Sequence, residues 1–323
     1  MPITPSKGPV QAPLDAPLTL PSAAPQPLSM RLRQALRPQR PSGVGAHRTP
    51  KVKPRITYLE RPGDHLDDAA LARLVAEMRR VASRCFAEVP EYQCLRGRRE
   101  DLRDKVITLA HDAEGQLLGF CSGVLLDVPG VGRVLHLGLT CVDPNGRGGG
   151  LTHVLNSRLV TRYFLRHHLF SRLWVTSVAC VLSSLGNMAL SFEGVVPSPY
   201  AAAPPSDAHR AIARAIDTQH RDKVYILPTA SLDEERFVFC GSVRGTVFQK
   251  EARDPRFRHR NEFLNSYYES LLDFERGDEA VQVGFVRFAT VFRYFQKQGK
   301  RGRPSAHAPR VALPAHQPEA YPS

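Results

Sequence analysis

The sequence predicts an α/β (α+β) chain: a central mixed, mostly antiparallel twisted sheet flanked by helices, with a C-terminal extension. Three observations predict it. Residues 105–111, 116–127 and 133–142 are apolar runs separated by turn residues, which read as an antiparallel meander. Residues 151–168 place Leu151, Val154, Leu155 and Leu159 on one helical face. Between the last strand and that helix stand a Pro144-Asn145-Gly146 turn and three consecutive glycines, Gly148, Gly149 and Gly150.

The other elements follow in order. Residues 56–59 read as a first strand, and 67–85 as a helix with Leu71, Leu74, Val75 and Met78 at helical spacing. A less regular helical stretch reaches Leu95. After the glycines and their helix, the β-branched run 173–180 (LWVTSVAC) is a buried strand, and 182–192 (LSSLGNMALSF) a short helix. A linker opens at Pro197-Ser198-Pro199-Tyr200. Beyond it, 206–221 and 261–274 read as helices and 224–227 and 236–248 as strands. Residues 279–285 alternate Val281, Val283 and Phe285 as an edge strand, before a basic helix ending near Gln298. The stripe Phe285, Phe288, Phe292, Phe295 is either core or a dimer face.

A net charge of +13 over 323 residues suggests nucleic acid until the charge is located. Residues 1–55 hold nine basic residues against one acid, together with 12 of the 27 prolines, and 297–323 hold five basic residues against one acid. About +1 is left for 56–296. The tail 1–55 lacks the paired apolar runs that offset ordering entropy and is expected to be disordered, as is 299–323. The Arg-rich stretch 30–40 is a solvated tail, an anionic-surface arm or part of a transit sequence. Nucleic acid is expected at most weakly, through the tail. The folded chain divides into a core, 56–200, and a part, 201–298, that completes the sheet and an acceptor pocket.

No apolar run is long enough to span a bilayer and no secretory leader opens the chain, so the expectation is a soluble, cytoplasmic protein. Cys85, Cys94, Cys121, Cys141, Cys180 and Cys240 form no C-x-x-C pair and have no histidine at finger spacing. That suits a reducing compartment and excludes a disulfide framework or a zinc site.

Strand, glycine loop, helix is an anion cradle. The first turn of a helix has backbone N–H groups without intrahelical partners and the positive end of the dipole. Glycines there let the backbone itself touch phosphate. A plain strand-to-helix turn, the alternative, needs only one or two of them. A Walker loop requires Lys-Ser/Thr after its last glycine, where Leu151-Thr152 stands, and the dinucleotide pattern G-x-G-x-x-G fails at Leu151.

The segment resembles motif A of the GNAT superfamily of N-acetyltransferases, in which a strand ending in V-x-P leads into a glycine loop. Val142, Pro144, Arg147, Gly148, Gly149, Gly150 and Leu151 carry the resemblance; in the short pattern Gln/Arg-x-x-Gly-x-Gly/Ala, Arg147 and Gly150 match and Thr152 departs. The resemblance covers roughly 56–200. It implies that the strands on either side of the loop and its helix splay apart, and that acetyl-CoA or another acyl-CoA lays its pantetheine arm in the gap. It places oxyanion and pantetheine contacts on Thr140, Cys141 and Val142, and the diphosphate on Arg147 to Thr152. The helix 182–192 looks like motif B, where Ser184 and Asn187 would meet the cofactor arm; Ser183 or Ser184 is otherwise that helix's N-cap.

Acyl transfer from a thioester to an amine needs a base, an oxyanion site and a proton for the leaving thiolate. Many relatives carry an acidic residue a few positions before the strand's last Val, where Gly138 and Leu139 stand. His136 is the candidate base, by alternation on the same face as Gly138 and Thr140, or else a structural histidine. Tyr200 is the nearest phenol for the acid. The expected function is therefore an N-acyltransferase acting on an amine, with no metal and a possible homodimer; the alternative is an acyl-CoA-binding module without turnover.

Overall fold

The computed structural model describes residues 53–146 and 150–292. The expectations for the two basic tails concern residues largely outside these, and Arg147, Gly148 and Gly149 also lie outside them. Among the described residues a nine-stranded mixed sheet forms the centre, in the order β1-β2-β3-β4-β5-β9-β8-β7, with β6 pairing β9 off this path. The strands are β1 (Arg55–Glu60), β2 (Lys105–His111), β3 (Leu117–Val128), β4 (Gly132–Val142), β5 (Leu173–Ala179), β6 (Glu193–Val196), β7 (Ser231–Asp233), β8 (Val238–Cys240) and β9 (Glu279–Val286). The helices that frame the site are α1 (Asp68–Ala82), α2 (Gln93–Arg96), α3 (Leu151–His167), α4 (Leu182–Ser191), α5 (Asp207–Gln219), α6 (Arg221–Val224) and α7 (Glu262–Leu271). Asp67 caps α1 by accepting from the Ala70 N–H at 2.7 Å.

The two faces of the sheet carry different cores. Val106, Leu125, Leu135 and Val142 pack with Leu155, Leu159 and Phe164 of α3. On the other face, Ile107, Leu109, Phe120, Leu139 and Cys141 pack with Leu71, Leu74 and Met78 of α1. Val124, Leu126, Val134, Val281 and Val283 continue that second face onto Ile212 and Ile216 of α5.

Period-two alternation breaks in β3, where Leu117 and Leu118 together oppose His111, and again in β4. The register runs from Gly123↔Leu137 to Cys121↔Thr140, so Gly138 and Leu139 together oppose the single residue Ser122. This is a β-bulge, and it turns the residues after it to the opposite face. Leu137 packs toward α3 whereas Leu139 joins the α1 core. His136 and Thr140 consequently do not share a face, contrary to the alternation expected from sequence. His136 hydrogen-bonds Thr176 of β5, and Thr140 receives a hydrogen bond from Asn156 of α3.

β4 and β5 are parallel neighbours for two residues only, Leu135↔Val175 and His136↔Thr176, and then part. The expected splay is present. β9 is not an edge strand: it pairs with β5 from Leu173↔Val286 to Ala179↔Ala280 and with β6 and β8 on its other side. Its buried pattern reflects two covered edges in place of one. The expected strand 224–227 is the end of one-turn α6 followed by a turn at Tyr225, whose φ of 64° breaks extended backbone. The expected strand 236–248 is extended only at β8, since Gly241 and Gly245 turn the chain at positive φ. In the aromatic stripe, Phe285 packs on Trp174 at 5.4 Å, while Phe288 and Phe292 stack together 50% and 52% exposed; Phe295 lies outside the described residues.

The bulge depends on Gly138, where a Cβ would stand 2.5 Å from the Tyr92 hydroxyl and 2.7 Å from the Ser122 carbonyl. Gly138→Ala is expected to lower stability by about 1–3 kcal/mol in urea unfolding. Gly146→Ala, with nothing within 4 Å of its Cβ, is the control and should leave the midpoint in place.

Candidate acyl-transfer site

The parting of β4 and β5 opens a cavity of about 850 Å³. Leu137 to Val142 line one wall and Ser177 to Val181 the other, and the opening reaches the start of α3 and the face of α4. Eight of the residues expected to hold the cofactor line this one space: Thr140, Cys141, Val142, Gly150, Leu151, Thr152, Ser184 and Asn187.

At one end stands the first turn of α3. Its N-cap is Gly150 in the left-handed region at φ 73°, which supplies no side-chain cap to the amides that follow. Asn156 anchors this turn to the sheet, donating to the Thr152 carbonyl at 3.0 Å and to the Thr140 hydroxyl at 3.3 Å, and accepting from the Cys121 thiol at 3.4 Å. Across the gap, Val181 is the N-cap of α4, so neither Ser183 nor Ser184 caps that helix with its side chain. Ser183 donates its backbone N–H to the Phe257 carbonyl at 2.8 Å.

The candidate base and acid fare differently. His136 lines the cavity but is 1% exposed, with Nδ1 2.9 Å from the Thr176 hydroxyl. Burial, then the charges of Lys105 and His220, press its imidazole down to about 3, so it is neutral and a weak base near pH 7. Tyr200 lies away from the cavity, its ring 6.0 Å from that of Phe263 and its hydroxyl 3.3 Å from Asn261 Nδ2, which donates to it.

Two cavity groups were not read from sequence. Glu279 opens β9 and lines the cavity while only 7% exposed; its Oε2 accepts from the Ser242 hydroxyl at 2.6 Å. Burial pushes its carboxyl up to about 7, with the Ser242 hydrogen bond pulling the other way. It lies two residues before Val281, on the sheet face shared with the α1 core. The second group is Tyr92, just before α2, whose hydroxyl is hydrogen-bonded by the Leu139 backbone at the bulge. Burial raises its phenol well above the usual tyrosine range, with smaller contributions from Cys94 and Glu279. The signal for Glu279 was a carboxylate at the head of the alternating run Val281, Val283, Phe285. For Tyr92 no local signal existed.

Around Tyr92 the cavity wall is aromatic. Its ring stacks with Tyr225 at 5.9 Å and meets Phe248 edge-on at 6.1 Å; Tyr225 and Phe248 are 4.8 Å apart, and Phe86 is 5.4 Å from Phe248. All four rings line the cavity. The gap thus connects a helix N-terminus on the α3 face with a carboxylate and aromatic wall on the α1 face.

No family model and no curated protein matches the chain. Among solved structures it is similar to a ribosomal-protein-alanine N-acetyltransferase from Brucella melitensis biovar Abortus 2308, at 22% identity, 35% of this chain, 74% of that chain and a TM-score of 0.25. A GNAT family acetyltransferase from Brucella melitensis in complex with acetyl-CoA is similar at 20% identity, covering 38% of this chain and 75% of that one with a TM-score of 0.27. The NatC complex bound to Gag peptide and CoA is similar at 15% identity, 41% and 80% coverage and a TM-score of 0.30. The likeness is partial. What carries weight is this chain's own arrangement: its meander, its parted strands and its loop-to-helix turn are those that the GNAT resemblance implies.

Among the described residues, no group of three or more His, Cys, Asp or Glu is placed to hold a metal ion, none of the six cysteines is in a disulfide, and no helix is long and apolar enough to cross a membrane.

The raised carboxyl has a thermodynamic signature. A folded value near 7 against an ordinary 4.5 means that the fold binds more protons between those values, so stability is full below about pH 4.5 and is lost as pH rises through 7. The loss is on the order of 3 kcal/mol. Glu279→Gln removes it, so the variant should melt above the parent at pH 9 and with it at pH 4.5, followed by circular dichroism.

Proposed function

We propose that the protein is an acyl-CoA-dependent N-acyltransferase, transferring an acyl group, acetyl in the simplest case, to an amine by direct attack within a ternary complex. The observation that carries this reading is the joining, in one cavity, of an N-terminal helix turn without a side-chain cap, two parted strand edges and a buried carboxylate on the far side of the gap.

In this reading the diphosphate is held by backbone N–H groups at the start of α3, Leu151 and Thr152 among them, with Arg147, Gly148 and Gly149 completing the cradle. The pantetheine arm runs along Thr140 to Val142, with Ser184 and Asn187 of α4 on its other side. Main-chain N–H groups of the same β4 stretch face the carbonyl oxygen on which negative charge develops.

The acceptor arrives from the α1 face as an ammonium. Glu279, as carboxylate, removes one proton, and the nitrogen lone pair attacks the thioester carbonyl; a C–N bond forms and the carbonyl π electrons move to oxygen. Collapse of this adduct breaks the C–S bond, and the thiolate takes a second proton from the nitrogen, leaving an amide N–H and a free thiol. Glu279 returns its proton to water, so one proton is released per turnover. A carboxyl near 7 is matched to accepting a proton at neutral pH, whereas a neutral imidazole near 3 is not. His136 is then a structural tie between β4 and β5.

Calorimetric titration with acetyl-CoA should give saturable binding. Thr152→Asp puts a negative charge in the first turn of α3, which favours the helix but opposes a diphosphate. It should weaken acetyl-CoA at least tenfold while the melting temperature holds or rises; unchanged affinity would remove the turn from the site. Thiol release over a panel of amines should fall by about 10²–10⁴ in Glu279→Gln. In the parent it should rise with pH through about 7, as Glu279, facing Ser242, Tyr92 and Cys180, becomes the carboxylate. CoA binding with no thiol released from any amine would leave a binding module in place of an enzyme.

A further inference from the structure

The far end of the cavity bears on what the acceptor is. Tyr92, Tyr225 and Phe248 pack against one another as one aromatic wall, with mutual centroid distances of 4.8–6.1 Å, and all three line the cavity together with Glu279. The rings come from separate parts of the chain: the residue preceding α2, the turn after α6 and the loop after β8. Tyr225 is held with φ 64° and ψ 53°, a left-handed backbone that costs a side-chain-bearing residue about 1–2 kcal/mol. The fold spends stability to turn this ring toward its neighbours.

Aromatic faces are the negative side of the ring quadrupole, and a cation within about 6 Å of a centroid is attracted to them, more strongly where water is excluded. The Glu279 carboxyl on the same lining supplies the opposite charge in its ionised form. The facing groups on the other elements are the Ser242 and Tyr92 hydroxyls, the Cys180 thiol and Lys250. Lys250 and Arg256 are cations on the same lining that oppose this arrangement, Arg256 being paired with Asp254. The Lys250 ammonium stands 6.0 Å over Phe86 and 5.4 Å over Phe257, donates to the Val247 carbonyl, and is held below its usual range chiefly by burial.

We propose that this wall is the acceptor-binding site, and that the acceptor is a small alkylamine bound as its ammonium ion between the Tyr92, Tyr225 and Phe248 rings and the Glu279 carboxylate. The assignment rests on the acyl-transfer reading for what happens next, but the recognition of a cation does not. A neutral amine, an alcohol or an anionic acceptor lacks the charge that the rings and the carboxylate select. The ammonium loses its proton to the group that binds it, so recognition and activation share one residue.

Calorimetry on the full chain saturated with CoA tests this, with choline as a cation that cannot be acylated on nitrogen and 3,3-dimethylbutan-1-ol as its uncharged isostere. Choline is expected to bind at least tenfold more tightly than the alcohol. Phe248→Leu and Glu279→Gln are each expected to weaken choline about tenfold with CoA affinity unchanged, which also reports that the variants are folded. Equal affinity for the two probes, or no saturable choline binding to the parent, overturns the proposal whatever the variants do. Choline binding in a protein that does not bind CoA would overturn the acyl-transfer reading and leave the cation site standing; CoA binding without choline binding would do the reverse.

Discussion

Everything at this site depends on two strands that begin as parallel partners and stop pairing. Past His136 and Thr176, the facing edges of β4 and β5 no longer bond to one another. Main-chain N–H and C=O groups withdrawn from bulk water require partners. A ligand with amides along its length, as a pantetheine arm has, supplies them in the spacing of a missing strand. The gap is held open from both sides: the bulge at Gly138–Leu139 bends β4, and β9 keeps β5 paired along its whole length.

The bulge also sorts the chemistry between the faces. By reversing which way residues point after Leu137, it sends Thr140 and Val142 toward α3 and Leu139 toward Tyr92. One strand thereby lines both the α3 side and the α1 side of the cavity within four residues. Glu279 belongs to the second side, and it is expensive: a carboxyl held near 7 works against the fold at any pH where it is ionised. Its presence in a buried strand is easier to explain by chemistry than by packing.

Much of this was legible from local pattern. The strands 105–111 and 133–142 and the helix 151–168 with Gly150 at its entrance follow from hydrophobic period and turn residues, and they are where the fold has them, within one or two residues. Eight of the residues expected to hold a cofactor line one cavity because they sit on those elements. The face that His136 takes is not legible in the sequence, because a bulge inserts a residue without any composition signal, and the desolvation that lowers its imidazole depends on neighbours from other strands. Glu279 was passed over because β9 looked like an edge; its burial arises from pairing with β5, more than a hundred residues earlier in the chain. The loops after α5 were misread as strands where Tyr225, Gly241 and Gly245 bend the backbone through positive φ.

The placement of β9 has a consequence for how the protein is made. During synthesis, the meander and the glycine turn emerge well before residues 279–286, and until these arrive β5 has an unsealed margin of hydrogen-bonding groups. The same late segment brings the buried carboxylate. A nascent or clipped chain lacking it therefore has both an unpaired strand edge and a cavity without its buried carboxylate, so that sealing the sheet and completing the cavity are one event.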